Sequence, residues 1–289
     1  MISVVIPVRN RAELVKRTLQ SVAEQTVAPE AVYLVDNGST DGTLQTLRQW
    51  AAGRENVTVL EEPRLGAACA RNRGLEQVRT PYVMFFDSDD TMPRRHIEEV
   101  TAALTSANMP DIGVFDMELC RLDGVVEPKP YRRGDILAVH VFHAVLATQR
   151  CVVRTELARR VGGWNELLQG WDDLEFGVRL LAQRPRTEYL RLSEPVRVYA
   201  QRESITGTDF SSKAGQWERA LDACESDLRA LPRYVRLIDY RRAILAGMYR
   251  REGHAELAKG LARGFRMKLI ERYVAAGGRG VSYLARILG

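Results

Sequence analysis

The chain has 289 residues, 45% hydrophobic and 27% charged, a globular composition that excludes disorder beyond the chain ends and suffices for one large domain or a domain with an appendage. Net charge is a modest +5, no apolar run approaches the ~20 residues that span a bilayer, and the N-terminus lacks the basic region of a signal peptide. The four cysteines lie far apart with no CxxC pair, which argues for buried free thiols in a reducing, cytoplasmic setting rather than a zinc site or a disulfide framework.

In chain order, the first half alternates strands and helices. Ile2–Pro7 is an apolar strand, followed by Asn10–Glu13 in the pattern of a capping box and by Leu14, Val15, Thr18, Leu19 and Val22 at helical spacing. Ala31–Val35 is a second strand, closed by the turn-forming segment Asp36–Gly42, and a helix with Leu44, Leu47 and Ala51 on one face comes next. Val57–Leu60 is a third strand, Gly66–Val78 a helix, Pro81–Phe86 a fourth strand, and Pro93 suits the first position of another helix. This alternation predicts an α/β protein with a Rossmann-like, mainly parallel central sheet covered by helices on both faces.

The middle of the chain changes character. Ile112–Leu119 and Val125–Val126 flank Asp123-Gly124, a hairpin signal that places antiparallel strands at one sheet edge, and Gln149–Arg154 and Pro195–Ala200 read as further short strands. Beyond about Lys213 the pattern is helical, so the expected division is an α/β domain over 1–210 and a C-terminal helical region over 211–289. That region is basic: from Arg251 onward eight cations face only Glu252, Glu256 and Glu271. Phe265, Leu269, Ile270 and Tyr273 stand at helical spacing among them, as suits an anionic membrane surface, packing on the α/β domain, a homodimer contact, or simply a solvated face.

The strongest chemical signal is Phe85-Phe86-Asp87-Ser88-Asp89-Asp90, an apolar strand that stops at three carboxylates. Clustered acids repel, a hard cation such as Mg²⁺ or Mn²⁺ relieves the repulsion, and the carboxyl end of a buried strand is where open α/β sheets bind ligands. Asp36, at the end of the second strand, is placed either to accept hydrogen bonds from a base or ribose or to close an Asx-turn. Arg71 and Arg73 point to different helix faces, so at most one meets a phosphate. Asp172 and Asp173, after Trp171, are either helix caps or a carboxylate base beside a sugar face. Arg202 lies in a polar loop that either meets a diphosphate or links to the helical tail.

In order, Val4–Asn10, Val35–Thr43, Ala70–Gly74, Phe86–Asp90, Gly162–Glu166, Trp171–Phe176 and Ser204–Thr206 resemble the motifs of inverting family 2 glycosyltransferases of the glycosyltransferase-A fold, over roughly residues 1–206. The resemblance implies that Pro7, Arg9 and Asp36 line the nucleotide pocket, with Asp36 on the base, and that Arg71 lies near the diphosphate. It makes Asp87-Ser88-Asp89 a DxD motif, with Asp87 and Ser88 towards the donor and Asp89 on Mn²⁺ or Mg²⁺. Asp173 matches the catalytic base, and Asp172 stands where the family more often has Glu. The family's metal-facing His has no counterpart, since Gln201 and Arg202 occupy that stretch. The implied partners are a nucleoside-diphosphate sugar, most readily a UDP-sugar, and a saccharide or lipid-linked acceptor, with no nucleic acid. The location so implied is cytoplasmic, peripheral at the inner face of a membrane. Two other readings are a non-catalytic scaffold that binds sugar nucleotides, against which Asp89 and Asp173 speak, and a sugar nucleotidyltransferase, against which the absence of glycine in Pro7–Arg11 speaks.

Overall fold

The computed structural model describes residues 1–201 and 210–281. Packing divides the chain into one unit of Met1–Arg132, Val145–Gln169 and Arg184–Gln201 and a second of Arg133–Ala144, Gly170–Gln183 and Arg202–Gly289. A single boundary near residue 210 therefore does not describe the packing. Segments 133–144 and 170–183 carry the apolar helices α5 (Ile136–His143) and α7 (Asp172–Ala182), which bury their side chains among the C-terminal helices.

The first unit is built on β1 (Ile2–Val8), buried at every residue. The main sheet also contains β2 (Ala31–Asp36), β3 (Val57–Glu61), β4 (Tyr82–Phe85), β5 (Ile112–Val114), β8 (Cys151–Arg154) and β9 (Thr187–Tyr189), in the order β3-β2-β1-β4-β8-β5-β9. Among the described strands of this sheet, β8 alone runs against the others. Helices cover both faces, as the alternating pattern implies. Ile2, Val4 and Ile6 pack in one core with Val15, Leu19 and Val22 of α1 (Leu14–Ala23) and Ile97, Val100 and Leu104 of α4 (His96–Ser106). On the opposite face α3 (Ala67–Gln77) approaches β1 so closely that a Cβ on Gly74 would stand 2.3 Å from Val5 Cγ1. Helix α2 (Thr43–Ala51) buries Leu47, and α6 is Thr155–Arg160.

Three local expectations change. Asn10 does not cap α1: it adopts a left-handed conformation (φ 50°), and its Oδ1 accepts from Thr40 N at 2.8 Å, joining the loops after β1 and β2. Helix α4 begins at His96 rather than Pro93, because Gln25 caps it, donating to Pro93 O at 2.7 Å and accepting from Ile97 N at 3.0 Å. The hairpin at Asp123-Gly124 forms between β6 (Met117–Cys120) and β7 (Val126–Lys129), but in a separate three-stranded sheet with β10 (Val196–Tyr199). Ile112–Leu119 is broken between β5 and β6 where Asp116 accepts from Tyr131 N at 2.6 Å and Tyr189 Oη at 2.9 Å.

The second unit is helical, as the C-terminal pattern predicts, with α8 (Gln216–Asp227), α9 (Pro232–Arg251) and α10 (Gly264–Ala275) joining α5 and α7. No helix among the described residues is long and apolar enough to cross a membrane.

His96 is fully buried, edge-on to Phe115 at 4.8 Å, and neither ring nitrogen has a hydrogen-bond partner among the described residues. Burial lowers its pKa to about 4, so the unfolded chain takes up the proton first as pH falls. Its contribution to stability is present above about pH 6.5 and is lost towards pH 4, by up to about 3 kcal/mol. Denaturant unfolding at several pH values should show a steeper acid loss in the parent than in His96→Leu; equal slopes would contradict this account.

Candidate functional site

From β1 the chain moves first to β2 and β3 on one side and then to β4 on the other, so the carboxyl ends of β1 and β4 form the topological switch point of the sheet. Pro7 is buried in β1 and Arg9 is exposed just beyond it. Asp36 ends β2 in register with Val8 and is 4% exposed. Its Oδ2 accepts from Ser39 N at 3.2 Å, which is the turn role, while its Oδ1 is buried with no partner among the described residues. A buried acceptor left open in this way is costly unless a donor meets it.

The acidic corner follows β4. Asp87 Oδ1 pairs with Arg71 Nη2 at 2.8 Å, and Asp87 Oδ2 accepts from Gln149 Nε2 at 2.6 Å. The same Gln149 amide also donates to Asp90 Oδ2, so one side chain separates two carboxylates. Asp90 is 1% exposed, and its Oδ1 accepts from Tyr199 N at 2.9 Å. Burial, and then the charges of Asp87 and Asp89, raise its pKa well above the usual carboxylate range. Asp89 is half-buried, and its carboxyl is raised by burial and then by the charge of Asp87, with Arg11 pulling the other way. Ser88 is buried between them. The backbone is held as well: Arg17 Nη2 donates to Asp89 O at 2.5 Å and Thr18 Oγ1 to Asp90 O at 2.8 Å.

Arg71 is buried because its guanidinium lies 4.3 Å from the Trp164 ring centroid, and Trp164 in turn meets Phe85 edge-on at 5.1 Å. Asn72 fixes Trp164 by a reciprocal pair: its Nδ2 donates to Trp164 O at 2.9 Å and its Oδ1 accepts from Trp164 N at 2.7 Å. Arg73 instead pairs with Glu76 on the surface, so only Arg71 joins the acidic corner.

The described residues contain no group of three His, Cys, Asp or Glu side chains able to hold a metal unaided. Asp89 nevertheless fits a hard cation, because its raised carboxyl would be relieved by one, and Mg²⁺-type sites take one or two carboxylates with substrate phosphates completing the shell.

In the second unit, Trp171 takes the N-cap position of α7 in a left-handed conformation (φ 52°), so neither Asp172 nor Asp173 is the cap. Both acids lie half-buried in the first helical turn, where the helix dipole favours negative charge, and Asp173 Oδ1 accepts from Leu174 N at 2.8 Å. The Trp171 ring packs 4.9 Å from Trp217, and the Arg241 guanidinium lies 4.4 Å from its centroid. Burial lowers the Arg241 pKa to about 10, and the charge of Asp173 opposes that shift.

The structure thus gathers Asp87, Ser88 and Asp89 with Arg71 at one strand end and puts Asp36 on the neighbouring strand, while Arg202 and Ser204–Thr206 lie outside the described residues. Sequence reasoning missed Gln149 and Arg241 and gave Asp90 no role of its own within the acidic cluster. A clue to Asp90 was present, since three adjacent acids need more than one counter-group.

Residues 3–116 match the family model described as Glycosyl transferase family 2. The chain is 34% identical over 116 residues to glycosyltransferase AglE of Haloferax volcanii, a match covering 39% of this chain and 38% of that protein. It spans well under half the length of the first curated relatives it matches. Its structure is similar to that of S. aureus TarS in complex with UDP-GlcNAc (TM-score 0.64, 17% identity, covering 96% of this chain and 92% of that one). It is also similar to mannosyltransferase PcManGT from Pyrobaculum calidifontis in complex with GDP-Man and Mn²⁺ (TM-score 0.61, 18% identity, covering 95% and 79%). At these identities the structural likeness shows the fold, which is glycosyltransferase-A.

Replacing Gln149 with Leu leaves Asp87 and Asp90 facing each other without their shared donor, and should lower stability by about 1–3 kcal/mol. Adding Asp90→Asn should return part of that loss, because the repulsion goes with the charge. A double-mutant cycle by thermal denaturation checks this; strictly additive losses would show that the amide does not couple the two acids.

Proposed function

We propose, from the match of residues 3–116 to the family model described as Glycosyl transferase family 2, that the chain is a metal-dependent inverting glycosyltransferase. It moves a sugar from a nucleoside-diphosphate sugar, most readily a UDP-sugar, to a hydroxyl of a saccharide or lipid-linked acceptor. The observation that carries this reading is the switch point itself, where the open buried oxygen of Asp36 ends β2 and the Arg71-held Asp87 follows β4 with Asp89. The donors named with TarS and PcManGT support a nucleotide sugar, and the Mn²⁺ named with PcManGT supports a divalent cation. The reading carries with it a cytoplasmic location, peripheral at the inner face of a membrane.

The residues divide the work. Asp36 accepts from the base through Oδ1, and Pro7 and Arg9 border the nucleotide. Arg71 steadies Asp87, which faces the ribose or the sugar beside Ser88. Arg202, outside the described residues, would meet the diphosphate. Asp89 would hold Mn²⁺ or Mg²⁺, and the bound ion would supply charge stabilisation to the departing nucleoside diphosphate. Asp173, with Asp172 beside it, takes the proton from the acceptor hydroxyl as that oxygen bonds to the anomeric carbon. The bond to the diphosphate breaks on the opposite side, so the configuration inverts.

Screening UDP- and GDP-sugars for hydrolysis and transfer, with and without Mn²⁺ or Mg²⁺, tests the proposal. Asp173→Asn should lower transfer about 10²–10⁴-fold while leaving the donor dissociation constant within about twofold. Undiminished transfer would remove Asp173 from the base role. Chelation should abolish turnover and added Mn²⁺ or Mg²⁺ should restore it; turnover indifferent to chelation would remove the metal from the mechanism.

A further inference from the structure

Helix α10 has two different long faces. One is buried: Ile270, Glu271 and Val274 pack on α9, where Gly247 has no side chain and a Cβ would stand 2.6 Å from Val274 Cβ. Glu271 is paired there with Arg250. The other face is open, with Phe265 80% exposed, Leu269 47% and Tyr273 45%. These three residues are spaced at i, i+4 and i+8, so at ~100° per residue they fall in one stripe of roughly 80°.

The charges around that stripe have one sign. Lys268 and Arg272 project from one side of it and Arg266 from the other, and all three are exposed. Arg263 and Arg279, also exposed, flank the helix. From Arg263 to Arg279 the only acid in the sequence is Glu271, which is turned inward. A face meant for water would mix carboxylates among its cations and would not display a Phe at this exposure. A face meant for a second copy of itself would bring five like charges together.

We propose that α10 is an in-plane docking helix for an anionic lipid surface. Phe265, Leu269 and Tyr273 enter the boundary between headgroups and acyl chains, and Arg263, Arg266, Lys268, Arg272 and Arg279 lie against lipid phosphates. The large apolar side chains supply the insertion and the cations supply selectivity for negative lipid, the division of work that interfacial helices show. The inference stands on side chains of the second unit alone and is independent of the donor chemistry. It would set the enzyme at a surface where lipid-linked acceptors reside.

The full chain should float with vesicles of phosphatidylcholine and phosphatidylglycerol and not with phosphatidylcholine alone. Binding should fall sharply between about 0.1 M and about 1 M salt as the screening length shrinks from about 10 to about 3 Å. Lys268→Gln and Arg272→Gln should each weaken binding about fivefold. Phe265→Ser with Leu269→Ser should weaken it about tenfold or more, with the melting transition of the parent retained. Failure of the parent to float, equal flotation with neutral vesicles, or unchanged flotation of either variant set would overturn the proposal. So would a parent dimer in sedimentation that the Phe265/Leu269 pair dissociates, since the stripe would then be covered by a second copy.

Discussion

Three carboxylates at the end of one buried strand repel one another, and a large part of the first unit exists to keep them there. Arg71 neutralises Asp87 from α3, Gln149 inserts a single amide between Asp87 and Asp90, and the Tyr199 amide of β10 takes the remaining oxygen of Asp90. The backbone between the acids is clamped by Arg17 and Thr18 of α1. Four separate segments of chain therefore converge on residues 87–90. Asp89 receives the least of this help and keeps a raised carboxyl, as a residue held ready for an outside cation would.

The arginine that does most of the balancing is itself withdrawn from water, and its burial needs an explanation. Trp164 provides it by covering the guanidinium, and Asn72, the residue next to Arg71, holds Trp164 by both its amide atoms. The segments Ala70–Gly74 and Gly162–Glu166 are thus one device divided between two places in the sequence. A lysine at 71 would keep the charge but lose the flat surface that stacks on the indole and the fork that reaches Asp87.

Much of this was legible beforehand. The strand–helix alternation and the strand ends at Asp36 and Asp87 follow from period and from residue chemistry, whereas the choice of Arg71 over Arg73 came with the family resemblance. What escaped were features set by tertiary partners. Gln149 read only as the start of a strand, because nothing local marks an amide that will meet acids more than fifty residues away. Asn10 carried a good capping pattern, but the loop after β2 competed for its side chain. Arg242, at helical spacing with Ile238, Leu245 and Tyr249, belongs to the buried period of α9, whereas nothing in that period marks Arg241, which meets Trp171. The packing of α5 and α7 with the C-terminal helices was hidden for the same reason: an apolar helix states that it will be buried, not by what.

The bond from Tyr199 N to Asp90 joins residues 109 apart in sequence, and the bridge between Thr91 and Arg197 beside it spans nearly as many. Such links close long loops in the first unit, while β1, β2 and β3 are joined by much shorter ones. Loop closure costs entropy that only the completed contact repays, so the acidic corner takes shape after the parallel core does. The same ordering runs in reverse under stress. Peeling β10 from its sheet would strip Asp90 of its amide while leaving β1 and its helices intact, so the acidic corner and the stable core of this protein are separable in time.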